Sequence, residues 1–125
     1  MLRGMKLVSA PAFQYHFTRA SRRYPALGAP HAIELRYVFN TFDPATAKKE
    51  DRELAAKMMK YWVRFAKTGD PNVEGLPAWP EYDGEKPSCL ELGAEIREGV
   101  GLGDDICDSL DRFTLRAYST GKDKD

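Results

Sequence analysis

One stretch constrains the fold more than any other: LAAKMMKYWVRFAKTGDPN, from Leu54 to Asn72. Leu54, Met58, Tyr61 and Phe65 recur at a spacing that stacks them on one side of a helix, and Ala55, Met59, Trp62 and Ala66 lie beside them. This wide apolar face at helical period predicts a helix from about Ala47 to Thr68 that must bury one side against another layer. Its start follows Asp43-Pro44, and Glu50 and Asp51 fall in the first turns, where the helix dipole favours acids. Its end is punctuated by Thr68-Gly69-Asp70-Pro71: a glycine for a left-handed cap, then a proline that cannot continue the helix. A stripe of methionine and aromatic side chains like this belongs to a core rather than to a cofactor site.

What packs against that helix must come from a single domain, because 125 residues leave room for one core. Residues 12–18, AFQYHFT, are aromatic-rich and bounded by Pro11 and a basic loop. They predict a strand with apolar residues on both faces, hence buried on both sides. Residues 19–30 read as loop. His31 to Phe39 fits two patterns: Ile33, Leu35, Tyr37 and Phe39 alternate as in a strand, while Ala32, Leu35, Val38 and Phe39 fit a short helix. Residues 70–87 form a loop carrying Pro71, Pro77, Pro80 and Pro87, with Trp79 and Tyr82 as anchors. SCLEL (88–92) and EIREGV (95–100) predict a short hairpin around Gly93-Ala94, and Asp104 to about Ala117 a final helix. Residues 119–125 read as a frayed tail.

Composition narrows the function classes. Formal net charge is zero, but residues 1–30 carry Arg3, Lys6, Arg19, Arg22 and Arg23 and no acid. These arginines are interleaved with proline, alanine and aromatics, and no nucleic-acid-binding signature follows, so a solvated loop is the reading and no nucleic acid is expected. No apolar run approaches the roughly 20 residues that span a bilayer, and the N-terminus builds no apolar signal region, so no membrane partner is expected. Cys89 and Cys107 are compatible with two thiols or one disulfide.

Three motifs carry no chemistry. GVGLGDD lacks the third glycine of a dinucleotide loop and the Gly-Lys-Ser/Thr of a phosphate loop. Asp104, Asp105 and Asp108 have a spacing seen in magnesium-binding clusters, but a second acidic cluster is missing, and acids in a first turn complement a helix dipole. An EF-hand fails for want of its glycine and glutamate. That leaves the histidines, His16 and His31. His31 stands on a Gly-Ala-Pro turn ahead of a dense apolar stretch. A histidine so placed is either a capped or solvent-facing loop residue or a general base aimed at a cleft.

The surrounding blocks favour the second role. Gly-x-x-His-x-x-Glu followed by Tyr-Val-Phe (Gly28 to Phe39), Tyr-Trp-x-x-Phe-Ala-Lys-Thr-Gly-Asp-Pro-Asn (Tyr61 to Asn72) and Leu-Pro-x-Trp-Pro-x-Tyr (Leu76 to Tyr82) occur in that order. In these blocks the chain resembles the C-terminal part of type-B carboxylesterases, the cholinesterase-like family of α/β-hydrolases, from about Ala12 to Phe113. The resemblance implies an α/β fold class: a C-terminal fragment of an α/β-hydrolase, with the edge of the central sheet, one long amphipathic helix, a β-hairpin and a final helix. The whole of residues 1–125 would then be a single partial domain. It also implies that His31 is the general base of a catalytic triad and that Glu34 braces the site without reacting. Ala32 stands where many members have glycine, and Arg36 where proline is frequent.

Triads on this fold run serine, then acid, then histidine. The chain contains no Gly-x-Ser-x-Gly, and no Asp or Glu precedes His31. A base without a nucleophile has nothing to activate. The expectation is therefore a segment of a serine esterase that is inactive alone. Its partners would be the missing N-terminal hydrolase portion and, in the complete enzyme, an ester substrate. The resemblance implies no cofactor and no metal. Self-association through exposed apolar surface is expected as well. The alternative is a non-catalytic binding or oligomerising module derived from the same fold.

Overall fold

The computed structural model describes residues 10–21, 25–83 and 88–100. The order of elements is β1 (Tyr15–Phe17), a 3-10 turn (Pro25–Leu27), α1 (Leu35–Val38), α2 (Lys49–Thr68), β2 (Ser88–Leu92) and β3 (Ile96–Val100). The expected final helix and the frayed tail lie outside the described residues.

The strands form one mixed sheet in the order β1-β2-β3. β1 runs parallel to β2, with Tyr15 opposite Leu90 and Phe17 opposite Leu92. A parallel pair needs a long crossover, and α1 and α2 supply it. β2 and β3 form the expected antiparallel hairpin, Leu92 opposite Ile96 and Ser88 opposite Val100. Gly93 sits at its turn because a Cβ there would fall on the Thr18 hydroxyl.

α2 buries Leu54, Ala55, Met58 and Tyr61 against Phe17, Leu90 and Leu92 of the sheet and against Tyr37 and Trp79. The stripe predicted from the sequence is thus the core, but only as far as Tyr61: Phe65 is 46% exposed. The helix starts at Lys49, not Ala47, because Asp43 caps its own turn instead, accepting the Ala45 N–H at 2.9 Å. The end is as expected. Gly69 adopts φ 77° and its N–H closes on the Phe65 carbonyl at 2.8 Å.

The Thr-Gly-Asp-Pro-Asn block then folds the chain back. The Asp70 carboxylate accepts the Asn72 backbone and side-chain N–H groups at 2.9 and 2.8 Å. Asn72 in turn pairs with the backbone of Trp79, accepting its N–H at 2.7 Å and donating to its carbonyl at 3.1 Å. The Trp79 indole N–H reaches the Gln14 carbonyl at 2.8 Å, so Trp79 is the anchor expected of it and ties this loop to the sheet edge.

One expectation needs correcting and one ambiguity is resolved. The strand at 12–18 is regular only over Tyr15–Phe17, with Phe13 held by an isolated bridge to Glu81. It is not buried on both sides. Phe17 enters the core while His16, on the opposite pleat, is exposed. The ambiguous stretch at 31–39 resolves as a turn and a short helix. Tyr37 is buried while Leu35 and Phe39 are 48% and 67% exposed, so the apparent alternation did not mark an inward face.

Candidate active site

Pro30 fixes the entry to the turn that carries His31. The Ile33 N–H closes on the Pro30 carbonyl at 3.2 Å and the Leu35 N–H on the Ala32 carbonyl at 3.3 Å. Ala32 takes φ 64°, the left-handed region that glycine enters without strain. The left-handed step turns the chain sharply just after His31, and the His31 side chain is left exposed. Among the described residues no side chain hydrogen-bonds its ring.

Glu34 caps α1 through its backbone: its carbonyl accepts the Tyr37 and Val38 N–H groups at 2.9 and 3.0 Å. Its half-buried carboxylate acts on β1, where burial and then the Glu34 charge raise the Tyr15 phenol above its ordinary value. The Glu34 charge thus acts on Tyr15, and among the described residues no hydrogen bond joins Glu34 to the His31 ring. Arg36, in the position where proline is frequent in the family, lies over the Phe42 ring at 5.6 Å from its centroid.

Beside this turn is a cluster that sequence reading missed. Asp51 accepts from Arg19 Nε at 2.9 Å and from the Tyr37 hydroxyl at 3.1 Å. Burial raises the Tyr37 phenol, and the Asp51 charge raises it further. For Arg19, burial works against the guanidinium charge and Asp51 more than offsets it. The cluster borders a cleft of about 570 Å³ lined by Ser21, Ile33, Arg36, Tyr37, Phe42 and Asp51, among others. A smaller cleft of about 170 Å³ lies between β1 and α2, walled by Phe13, Tyr15, Trp62, Phe65, Pro71 and Trp79.

His16 lines neither cleft. It lies on β1 opposite Glu91, whose carboxylate is held below its ordinary value by Arg97 first, then by the Thr18 hydroxyl, with His16 a lesser influence. Among the described residues no group of three or more His, Cys, Asp or Glu is arranged to hold a metal ion. No helix among them is long and apolar enough to cross a membrane. Asp104, Asp105, Asp108 and Cys107 lie outside the described residues, and Cys89 is buried.

The small mixed sheet, with its parallel pair joined through helices, is matched by solved α/β-hydrolase esterases. A solved PNB esterase superposes on 81% of this chain with a TM-score of 0.70 and 31% identity, and the match covers 21% of that chain. A thermophilic PNB esterase matches 77% of this chain with a TM-score of 0.67 and 29% identity. The model of the carboxylesterase family matches residues 1–107, and the chain belongs to that family. Among its relatives, human cocaine esterase is 41% identical over 101 residues, which are 74% of this chain and 18% of the relative. Rat carboxylesterase 1C is 34% identical over 108 residues, 82% of this chain and 20% of the relative. The chain therefore spans about a fifth of the length of these curated relatives.

Proposed function

We propose that this chain is the C-terminal segment of a carboxylic-ester hydrolase and that His31 is its general base. The observation that carries this is the His31 turn: an exposed imidazole on a backbone pinned by Pro30 and a left-handed Ala32, inside a segment matched by the carboxylesterase family. In the complete enzyme a serine from the N-terminal portion attacks the ester carbonyl. The His31 imidazole takes the serine proton and returns it to the alcohol leaving group, and water then repeats the cycle on the acyl-enzyme. Glu34 holds the base of the turn and does not exchange protons with substrate.

The segment supplies neither serine elbow nor triad acid ahead of His31, so by itself it has no activated nucleophile. The 125-residue chain is expected to hydrolyse a short activated aryl ester only at the slow background rate of any accessible imidazole. Saturable turnover at about 1 per second or faster, lost in His31→Ala, would refute inactivity of the segment.

A further inference from the structure

Asp51 is a carboxylate in the first turns of α2, only 6% exposed, with no part in the steps assigned to His31. A buried carboxylate is unfavourable unless donors surround it. Here three donors meet on one oxygen: Arg19 Nε at 2.9 Å, Arg19 Nη2 at 2.8 Å and the Tyr37 hydroxyl at 3.1 Å. Their places in the chain matter more than their number. Arg19 follows β1 and leads into a loop; Tyr37 lies in α1, where that loop ends. The residues between them, 20–36, include His31. One carboxylate therefore closes both stems of the histidine loop onto α2.

Within the loop, backbone bonds carry that restraint toward the imidazole. The Ser21 N–H meets the Gly28 carbonyl at 2.7 Å, and the Gly28 N–H meets the Pro25 carbonyl at 3.0 Å. On the other stem Ile33 closes on Pro30, Leu35 on Ala32 and Tyr37 on Glu34, in overlapping turns that run from Pro30 to Tyr37. The Tyr37 ring is held in its own place by Phe17 and Phe42, with ring centroids 5.0 and 4.8 Å away. We propose that Arg19, Asp51 and Tyr37 form a positioning cluster that fixes where the turn presents the His31 ring. Its importance for catalysis rests on His31 being the base; the clamp itself does not.

The test uses the whole 125-residue chain and proton NMR of its two histidines, His16 serving as the internal control. The variants are Tyr37→Phe, which keeps the ring and removes one hydroxyl, Asp51→Asn, and Arg19→Lys, which keeps the charge. The His31 Hε1 line is the deciding readout. In Tyr37→Phe and Asp51→Asn it is expected to shift or split while the His16 line stays in place. The Ser21 and Leu35 amides should exchange about 10-fold faster while those of β2 do not change. Arg19→Lys should fall between Asp51→Asn and the parent chain. If Asp51→Asn unfolds the chain, Tyr37→Phe decides alone. An unmoved His31 line in a folded Tyr37→Phe overturns the proposal. So does a Tyr37→Phe chain in which both histidines move together to unfolded positions, because the cluster would then hold the whole fold rather than the turn. None of these readouts measures turnover, so the clamp can fail while His31 remains the base, and the reverse.

Discussion

Among the described residues Tyr61 is the largest fully buried side chain, and its hydroxyl donates to the Pro77 carbonyl at 2.6 Å. Pro77 is itself exposed, so water can replace the phenol at that carbonyl, and Tyr61→Phe is expected to cost only about 1 kcal/mol in a urea titration. The pH dependence is more telling. Burial pushes the Tyr61 phenol from 10.0 up to about 12. The folded state holds its proton more tightly than the unfolded chain, so this contribution is complete below pH 10 and is lost as pH rises toward 12. Tyr15 and Tyr37 are shifted in the same direction and add to the same limb. Stability followed from pH 8 to 12 should fall steeply, and less steeply in Tyr61→Phe; equal slopes would refute this account. Asn72 should matter more than Tyr61. Removing it strands the N–H of Trp79, a residue only 6% exposed, and Asn72→Ala is expected to cost about 2 kcal/mol in the same titration. Single residues such as Asn72 were legible only as motif letters. Nothing in the spacing of the Thr-Gly-Asp-Pro-Asn block says that its asparagine acts as a backbone partner for a tryptophan seven positions on.

Elements were legible where local pattern and tertiary burial agree. The long helix announced itself because its apolar stripe, acidic start and glycine stop all point the same way, and the hairpin because two short strands flank a glycine. β1 and α1 were less legible, since a few residues carry too few periods to separate strand from helix. The Asp51 cluster was not legible at all: its members lie 14 and 32 positions apart, and an acid in a first turn already has a sufficient reason to be there. At this scale the sheet makes a prediction of its own. Arg97 Nε donates to Glu91 at 2.7 Å, and the Thr18 hydroxyl donates to the other Glu91 oxygen at 2.9 Å, so one carboxylate ties β2 to β3 and to the residue that follows β1. Arg97 and Thr18 hold the Glu91 carboxyl below its ordinary 4.5. A depressed carboxyl stabilises the fold above its unfolded value and loses that contribution as pH falls through the folded value, so the stability of the sheet should drop below about pH 4.5. Glu91→Gln should flatten that acid limb; an unchanged limb would show that Glu91 does not supply it. Gly93→Ala attacks the same joint by displacing the Thr18 hydroxyl, with an expected loss of about 1–3 kcal/mol by thermal unfolding.

On the scale of the whole molecule, the surface looks unfinished. Phe65, Val63, Leu35, Phe39 and Val100 are 46–67% exposed, and among the described residues β1 pairs on one edge only. Exposed aromatic faces beside an open strand edge favour association. The 125-residue chain alone is therefore expected to bind a hydrophobic dye and to scatter light as more than a monomer; a dye-silent monomer would count against unmet apolar surface. That result alone does not separate a hydrolase segment from an oligomerising module, because both would hide the same faces. Restoration of activity does. An N-terminal portion from a carboxylesterase, carrying the serine, the acid and the oxyanion donors, should gain esterase activity when fused to or co-folded with this chain. The oligomerising module predicts no such gain. Within the restored enzyme the two histidines must separate. If His31 is the base proposed above, His31→Ala removes the acceptor for the serine proton and should cost about 10⁴-fold or more in kcat. Glu34→Gln keeps the shape of the turn but removes the charge that acts on Tyr15, and under the proposed orienting role it should cost about 10- to 100-fold. His16→Ala should cost little, because His16 sits on the sheet opposite Glu91 and lines neither cleft. The measurement is kcat for the three variants on one aryl ester. An enzyme that survives His31→Ala and dies with His16→Ala would move the base to β1 and sink the assignment made on the Gly-Ala-Pro turn.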